Sequence, residues 1–158
     1  DVVNIPKESD QRTMASELSA LKGRELLKEE DYSDEEIDAI VDAIRTCSWS
    51  KGLKATSKIG EVLQDADRLD AIGAIGVMRN IACAQAMTTR GSSGQFYHPD
   101  DPFGKDREEL DDKRYAIDHF SIKLLKLTQS MNTEVAKKEA QRRHRFMLQF
   151  LFELAQEI

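Results

Sequence analysis

Hydrophobic residues recur along this chain at the three- and four-residue intervals of α-helices, and no segment alternates like a half-buried strand. Apolar positions spaced in this way predict a first helix over about 10–30. Ser33 and Glu36 have the spacing of a capping box and open a second helix that ends near 47–50. The pattern therefore predicts an all-α protein.

The middle of the chain combines a long helical pattern with a long loop. The helical pattern runs from about 57 to about 87 and contains Gly73 and Gly76, each of which costs a helix interior about 1 kcal/mol relative to alanine. That cost indicates close packing of another helix or of a ligand against this face. Periodicity disappears between about 88 and 109, which predicts an irregular loop.

The C-terminal part returns to helical periodicity. One helix is predicted over about 111–127, and a last helix is predicted to start at Asn132 or Thr133. The apolar residues that the last helix is expected to bury are Val135, Phe146, Met147, Phe150, Leu151 and Leu154. Apolar residues along one face of a helix are typical of a protein core or of an interface between copies of the chain. A homo-oligomer is therefore one interpretation of this pattern.

Composition and charge narrow the class of protein. The 158 residues are 40% hydrophobic and 33% charged, which suits one globular domain over 1–158. No apolar run reaches the roughly 20 residues of a membrane helix, and no leader-like segment opens the chain. Because the only two cysteines, Cys47 and Cys83, suit a reducing compartment, we expect a cytoplasmic protein. The net charge of -6 argues against nucleic acid as the main partner.

The segment QDADRLDAIGAIG at 64–76 places charged residues inside an apolar helix. An ionised carboxylate in a packed interior is costly unless it meets a cation, a metal or several donors, so this cluster is a candidate site. At about 100° per residue, Asp65 and Asp67 diverge by roughly 200°, whereas Asp67 and Asp70 are neighbours one turn apart. One of the first two can therefore face a buried site while the other faces solvent or caps another group. Asp70 either supports the site or is solvated.

Four segments carry a resemblance that extends over nearly the whole chain. They are DVVNIPK at 1–7, QDADRLDAIGAIG at 64–76, DHFSIKLLKL at 118–127 and KEAQRRHRFM at 138–147. Together they resemble the HD-domain metal-dependent phosphohydrolases, in particular a small bacterial all-helical branch related to nucleotide hydrolases. The resemblance implies that the chain folds as an HD-domain helical bundle.

In the family that the chain resembles, a metal is held by one histidine, an adjacent His-Asp pair and a later aspartate. The resemblance implies that Asp1 is the aspartate of the pair and that Asp67, in its Ala-Asp-Arg-Leu context, is the later one. Both are thus expected to be metal ligands and catalytic residues. The two histidines would precede Asp1, so the sequence is expected to be a piece that lacks its N-terminal segment. With two of four ligands, such a piece is expected to bind metal poorly.

The activity implied by the resemblance is hydrolysis of a nucleotide or another small phosphoester by a metal-activated water. Mn²⁺ is the first choice for a mixed imidazole and carboxylate set, with Mg²⁺ or Zn²⁺ next. Arg68, His119 and Lys123 are expected to contact phosphate oxygens, which charge-assisted donors suit. The alternative is a catalytically inactive interaction or regulatory module that keeps the HD fold.

Overall fold

The computed structural model describes residues 2, 3, 5, 9–88 and 95–158, except for the side chains of 12, 87 and 88. Over these residues the fold is all-α, as predicted, with one isolated bridge between Gln95 and Tyr115. The chain divides into two compact units, Asp1–Asp67 and Arg68–Ile158. In the described ranges, every helix is too short or too polar to cross a bilayer.

The first unit is built on a pair of packed helices. Its elements are a 3-10 turn at Asp10–Met14, α1 at Ala15–Leu27, α2 at Asp34–Thr46, a 3-10 turn at Trp49–Lys51 and most of α3 at Lys58–Asp70. Small residues let α1 and α2 approach closely, because a Cβ on Gly23 would lie 3.2 Å from Cδ1 of Ile44. The predicted capping box opens α2: Glu36 N donates to Ser33 Oγ at 3.3 Å, and Ser33 N donates to the Glu36 carboxylate at 2.9 Å.

The single helix predicted over about 57–87 is two helices, so that prediction was wrong. Helix α3 ends at Asp70, and α4 occupies Gly73–Thr88. Gly73 adopts a φ of 77°, a left-handed conformation that hydrophobic periodicity does not reveal. Arg143 lies against this turn, since Nη1 of Arg143 donates to the carbonyl of Leu69 at 2.6 Å. Gly73 therefore allows the chain to turn between α3 and α4, and its small size allows the Arg143 side chain to approach closely, as the sequence indicated.

Two glycines with similar φ allow the close approach at Gly73 to be tested. A Cβ on Gly73 would lie 3.0–3.1 Å from three side-chain carbons of Arg143, whereas a Cβ on Gly52, with φ 63°, would meet nothing within 4 Å. We expect Gly52→Ala to lower the free energy of unfolding by about 1 kcal/mol through strain alone. Gly73→Ala should cost about 2 kcal/mol, because crowding adds to the strain. Urea unfolding of both variants measures the difference, and equal losses would show that the Arg143 contact relaxes freely.

The second unit contains α4 and a C-terminal group of helices. After α4 come a π-helical turn at Phe120–Leu124, α5 at Leu125–Leu127, a 3-10 turn at Thr128–Ser130 and α6 at Glu134–Glu157. The helix predicted over about 111–127 does not begin until Asp118, so its first turns were predicted wrongly. Residues 114, 116 and 117 instead bond to the backbone of Gln95 and Phe96. The Asp111 carboxylate accepts the backbone N–H groups of 113 and 114.

The last helix begins where the sequence indicates, but it buries a different face. Thr133 caps α6 by accepting a hydrogen bond from Ala136 N at 3.3 Å. Its buried residues are Ala136, Ala140 and Met147. Of the six apolar residues expected inside, Met147 is buried, Phe150, Leu151 and Leu154 are half-buried, and Val135 and Phe146 are exposed. Small residues on the buried face allow α6 to pack closely against α4. The spacing of large apolar residues in the sequence does not show that this face is the one that is buried.

Candidate functional site

The three carboxylates of α3 have different surroundings. Asp65 is buried, with 3% of its surface exposed, whereas Asp67 is exposed. Asp70 is also exposed, and its carboxylate accepts from Nη1 of Arg79. Helical geometry predicts that Asp65 and Asp67 separate in this way, and the structure shows which of the two faces solvent. Of Asp65 and Asp67, Asp67 is thus the one whose carboxylate an incoming ion or ligand can reach.

Arg68, the neighbour of Asp67, is held in the second unit. Its side chain is buried, and Nη1 donates to the backbone carbonyl of Ser130, at the end of the 3-10 turn that precedes α6. Within the second unit, this bond ties Arg68 to that 3-10 turn. Arg68 therefore has a structural role in this geometry, and its contact with phosphate stays a prediction.

Arg143 also bonds to the end of α3, a contact that was not predictable from its place in the sequence. The Glu139 carboxylate accepts hydrogen bonds from Arg142 at 2.7 Å and from Arg143 at 2.7 Å, and these two guanidinium groups lower the pKa of Glu139 to about 2. Glu139 thereby orients Arg143 toward the carbonyl of Leu69. The four-residue spacing of Glu139 and Arg143 in a helix indicates that the two side chains can pair. It does not indicate that Arg143 also bonds to the distant carbonyl of Leu69.

His119 directly precedes the π-helical turn and forms a pair with Asp112. Its Nδ1 is 2.6 Å from Oδ2 of Asp112, and the two side chains are 26% and 31% exposed. Lys123 lies in the last turn of the same π-helical element and is half-buried. The structure therefore places two of the predicted phosphate contacts, His119 and Lys123, on one short segment, and it adds Asp112 to them.

A buried ion pair lies directly before His119. Asp118 has a fully buried side chain, and its carboxylate accepts from Nη2 of Arg107 at 2.6 Å and from Nη1 of Arg107 at 3.0 Å. The backbone N–H of Asp111 adds a third bond to Asp118 at 2.7 Å. This arrangement raises the pKa of Arg107 through its hydrogen bonds with Asp118. The loop before the π-helical turn is thereby tied to the turn itself.

Asp101 organises the other end of that loop. Its carboxylate accepts backbone N–H groups from Lys105 at 2.9 Å, from Asp106 at 3.0 Å and from Arg107 at 3.0 Å. Burial acts to raise the pKa of Asp101, but the three N–H donors and the Arg107 side chain outweigh it and hold the pKa at about 2. Neither Asp101 nor Arg107 belongs to a sequence motif, so the role of each becomes visible only in the folded chain.

The low pKa of Asp101 predicts a contribution to stability that acid removes. The folded pKa of about 2 lies below the usual value of 3.8, so the contribution is complete above about pH 4 and is lost as the pH falls through about 2. We expect Asp101→Asn to lower the free energy of unfolding more at pH 6 than at pH 2. Urea unfolding at the two pH values measures this, and an equal loss at both would contradict the assignment.

The expected metal ligands are described only in part. Asp1 lies outside the described residues, so Asp67 is the one expected ligand that the structure positions. Across the described ranges, no three His, Cys, Asp or Glu side chains converge into a group that could hold a metal ion. The described residues alone therefore do not make a metal site.

One curated protein shares clear sequence similarity with the chain. It is YpgQ of Bacillus subtilis, described as uncharacterized, which is 39% identical over 99 residues. The match covers 63% of this chain and 40% of YpgQ, so it spans less than half the length of that relative. No family model matches the chain.

Solved structures agree over most of the chain. The crystal structure of B. subtilis YpgQ in complex with ADP is 31% identical, covers 98% of this chain and 68% of its own, and has a TM-score of 0.68. An HD-superfamily hydrolase from Bacillus thuringiensis is 33% identical, with a TM-score of 0.66 over 95% of this chain and 64% of its own. The chain therefore belongs to the family of B. subtilis YpgQ and has the all-α fold of the HD superfamily.

Proposed function

We propose that the protein carrying this chain is a metal-dependent phosphohydrolase that acts on a nucleotide or another small phosphoester. The observation that supports this most directly is the similarity to YpgQ, which was crystallised with ADP, together with the similarity to an HD-superfamily hydrolase. ADP presents phosphoryl oxygens and a nucleoside to the protein that binds it. Since a fold hosts many activities, the proposal also needs support from individual residues.

Asp67 provides that support within the chain. Its carboxylate is exposed, and the residue that follows it, Arg68, is tied to the carbonyl of Ser130. At the end of the same helix, Arg143 holds the carbonyl of Leu69 at 2.6 Å. An exposed carboxylate next to an arginine that is bonded to the backbone suits a residue that binds a ligand.

A divalent metal is the proposed cofactor, with Mn²⁺ as the first choice and Mg²⁺ or Zn²⁺ next. Asp67 would be one ligand, and Asp1, which lies outside the described residues, is proposed as a second. The residues that the structure describes do not complete such a site. A bound metal of this kind lowers the pKa of coordinated water and neutralises part of the charge of a phosphoester.

The proposed phosphate contacts are Arg68, His119 and Lys123. His119 directly precedes the π-helical turn, Lys123 lies in that turn, and both side chains are partly exposed. Arg68 is the least exposed of the three, and it also donates to the carbonyl of Ser130.

A hydrolysis screen on the full-length gene product tests the proposal. Nucleoside mono-, di- and triphosphates are incubated with Mn²⁺, with Mg²⁺ or with Zn²⁺, and release of phosphate or pyrophosphate is measured beside metal content. Metal-dependent release that disappears in an Asp67 variant supports the proposal. Absence of both metal and turnover would contradict it and would favour the interaction or regulatory module.

A further inference from the structure

The loop over 95–118 brings a carboxylate to His119 that neither the resemblance nor the comparisons assign. Nδ1 of His119 is 2.6 Å from Oδ2 of Asp112, although the two residues are seven positions apart in an irregular segment. We infer that Asp112 and His119 form a phosphoryl-binding dyad, in which Nε2 of His119 meets a phosphoryl oxygen and Asp112 is the positioning residue. This inference deepens the proposed function and rests on it.

The chemistry of the two side chains assigns roles to the ring nitrogens. A carboxylate accepts hydrogen bonds, so the proton of the short contact belongs to Nδ1 of His119. Within the described residues, Nε2 makes no hydrogen bond to protein. The Asp112 contact therefore selects one tautomer and leaves Nε2 as the nitrogen that can meet a ligand.

The dyad is built into the fold rather than formed by two mobile surface side chains. Asp111, next to Asp112, donates its backbone N–H to Asp118 at 2.7 Å, and its carbonyl accepts from Tyr115 N at 2.8 Å. Asp118 directly precedes His119, and the Asp118 carboxylate also accepts two hydrogen bonds from Arg107. His119 therefore follows the buried carboxylate of Asp118 in the chain, and Asp112 follows a residue whose backbone N–H bonds to that carboxylate, which restricts the separation of the two.

The backbone at His119 is a second, independent indication of a site. His119 is the residue that precedes the π-helical turn, and Lys123 is the basic residue in its last turn. π-Helical turns are rare in proteins and occur frequently at functional positions. Here the turn places an imidazole and an ammonium group on one segment, and both groups are suited to phosphoryl oxygens.

A phosphoryl group can form a hydrogen bond with Nε2 both when the phosphoryl oxygen is ionised and when it is protonated. An ionised phosphoryl oxygen accepts a hydrogen bond when Nε2 carries a proton, and a protonated P–OH donates one when Nε2 does not. In both cases a single proton lies between nitrogen and oxygen, and no covalent bond to phosphorus changes. The Nδ1–H bond to Asp112 is retained throughout.

The tautomer and the ligand contact are tested by NMR on the full-length product with ¹⁵N-labelled histidine. The given sequence has three histidines, His98, His119 and His144, and the signals that disappear from the full-length His119→Gln variant are those of His119. We expect His119 to carry its proton on Nδ1, and inorganic phosphate added in the presence of a chelator to shift Nε2 of His119 alone. A proton on Nε2 in place of Nδ1, or no shift with phosphate, would overturn the dyad.

The role of Asp112 is tested with two substitutions of Asp112 and one control substitution of Glu109. Asp112→Asn should weaken the response of His119 to phosphate by about 10- to 100-fold and lower kcat/KM for a hydrolysed nucleotide by a similar factor. Glu109→Gln removes an exposed carboxylate from the same loop and should change neither. Asp112→Glu should restore part of the response, and thermal unfolding of all three variants reports any general loss of structure.

The two readouts separate this inference from the proposed function. Hydrolysis that Asp112→Asn leaves unchanged would overturn the dyad while the phosphohydrolase proposal stands. The expected tautomer and phosphate shift, in a protein that hydrolyses no nucleotide with any metal tried, would support the dyad as an anion site and overturn the phosphohydrolase proposal.

Discussion

Asp67→Asn is expected to lower kcat/KM for metal-dependent nucleotide hydrolysis by about 10³-fold. Asparagine keeps the size of the side chain but removes the charge that would bind the metal. If about 4 kcal/mol of metal-derived stabilisation of the transition state is lost, the rate falls by roughly three orders of magnitude. Steady-state kinetics over a range of Mn²⁺ concentrations, with metal content measured in parallel, gives both the rate and the affinity.

Asp70→Asn is the matched control for this experiment. Asp70 lies on the same helix and is also exposed, but its carboxylate is paired with Arg79. The same chemical change at Asp70 should therefore leave kcat/KM and Mn²⁺ affinity close to those of the unsubstituted protein. Equal losses in the two variants would point to general damage to α3, and full activity in Asp67→Asn would remove Asp67 from the proposed site.

Arg107→Ala is expected to lower the free energy of unfolding by about 3 kcal/mol. The substitution leaves the Asp118 carboxylate, whose side chain is fully buried, without the guanidinium that holds it at 2.6 Å. Removing one partner of a buried pair is costly because the remaining charge is neither solvated nor paired. Urea or thermal unfolding at neutral pH measures the loss.

Arg24→Ala provides the control for Arg107→Ala. Arg24 pairs with Asp38 at the same distance, 2.6 Å, but the two side chains are 37% and 66% exposed. Water solvates both charges when the pair is broken, so the expected loss is below about 1 kcal/mol. Similar losses of unfolding free energy in the two variants would show that the protein tolerates an unpaired carboxylate at Asp118. They would also show that the Arg107–Asp118 ion pair does not hold the loop before His119 in place.

Local features of the chain were predictable because their partners lie within a turn or two. Ser33 and Glu36 cap α2 as their spacing indicates, and Thr133 caps α6. The opposed orientations of Asp65 and Asp67 follow from helical geometry alone. For the same reason, the all-α class was correct over the described residues even where helix boundaries were wrong.

Features that depend on distant partners were not predictable in this way. The break at Gly73 depends on a positive φ and on Arg143, which lies 70 residues further along the chain. The buried face of α6 depends on which helix packs against it, so large apolar residues such as Val135 and Phe146 are exposed. Hydrophobic spacing identifies the faces that can be buried, and tertiary contacts select among them.

The sequence by itself determined that this protein is helical, where several of its helices begin and which residues resemble an HD-type metal site. The tertiary structure decided that Asp65 is buried while Asp67 is exposed, that Arg107 and Asp118 anchor the loop, and that Asp112 meets His119. Helix formation and capping depend on neighbouring residues in the chain. Burial and ion pairing depend on side chains that only folding brings together, and their energies are set by how far water is excluded from them.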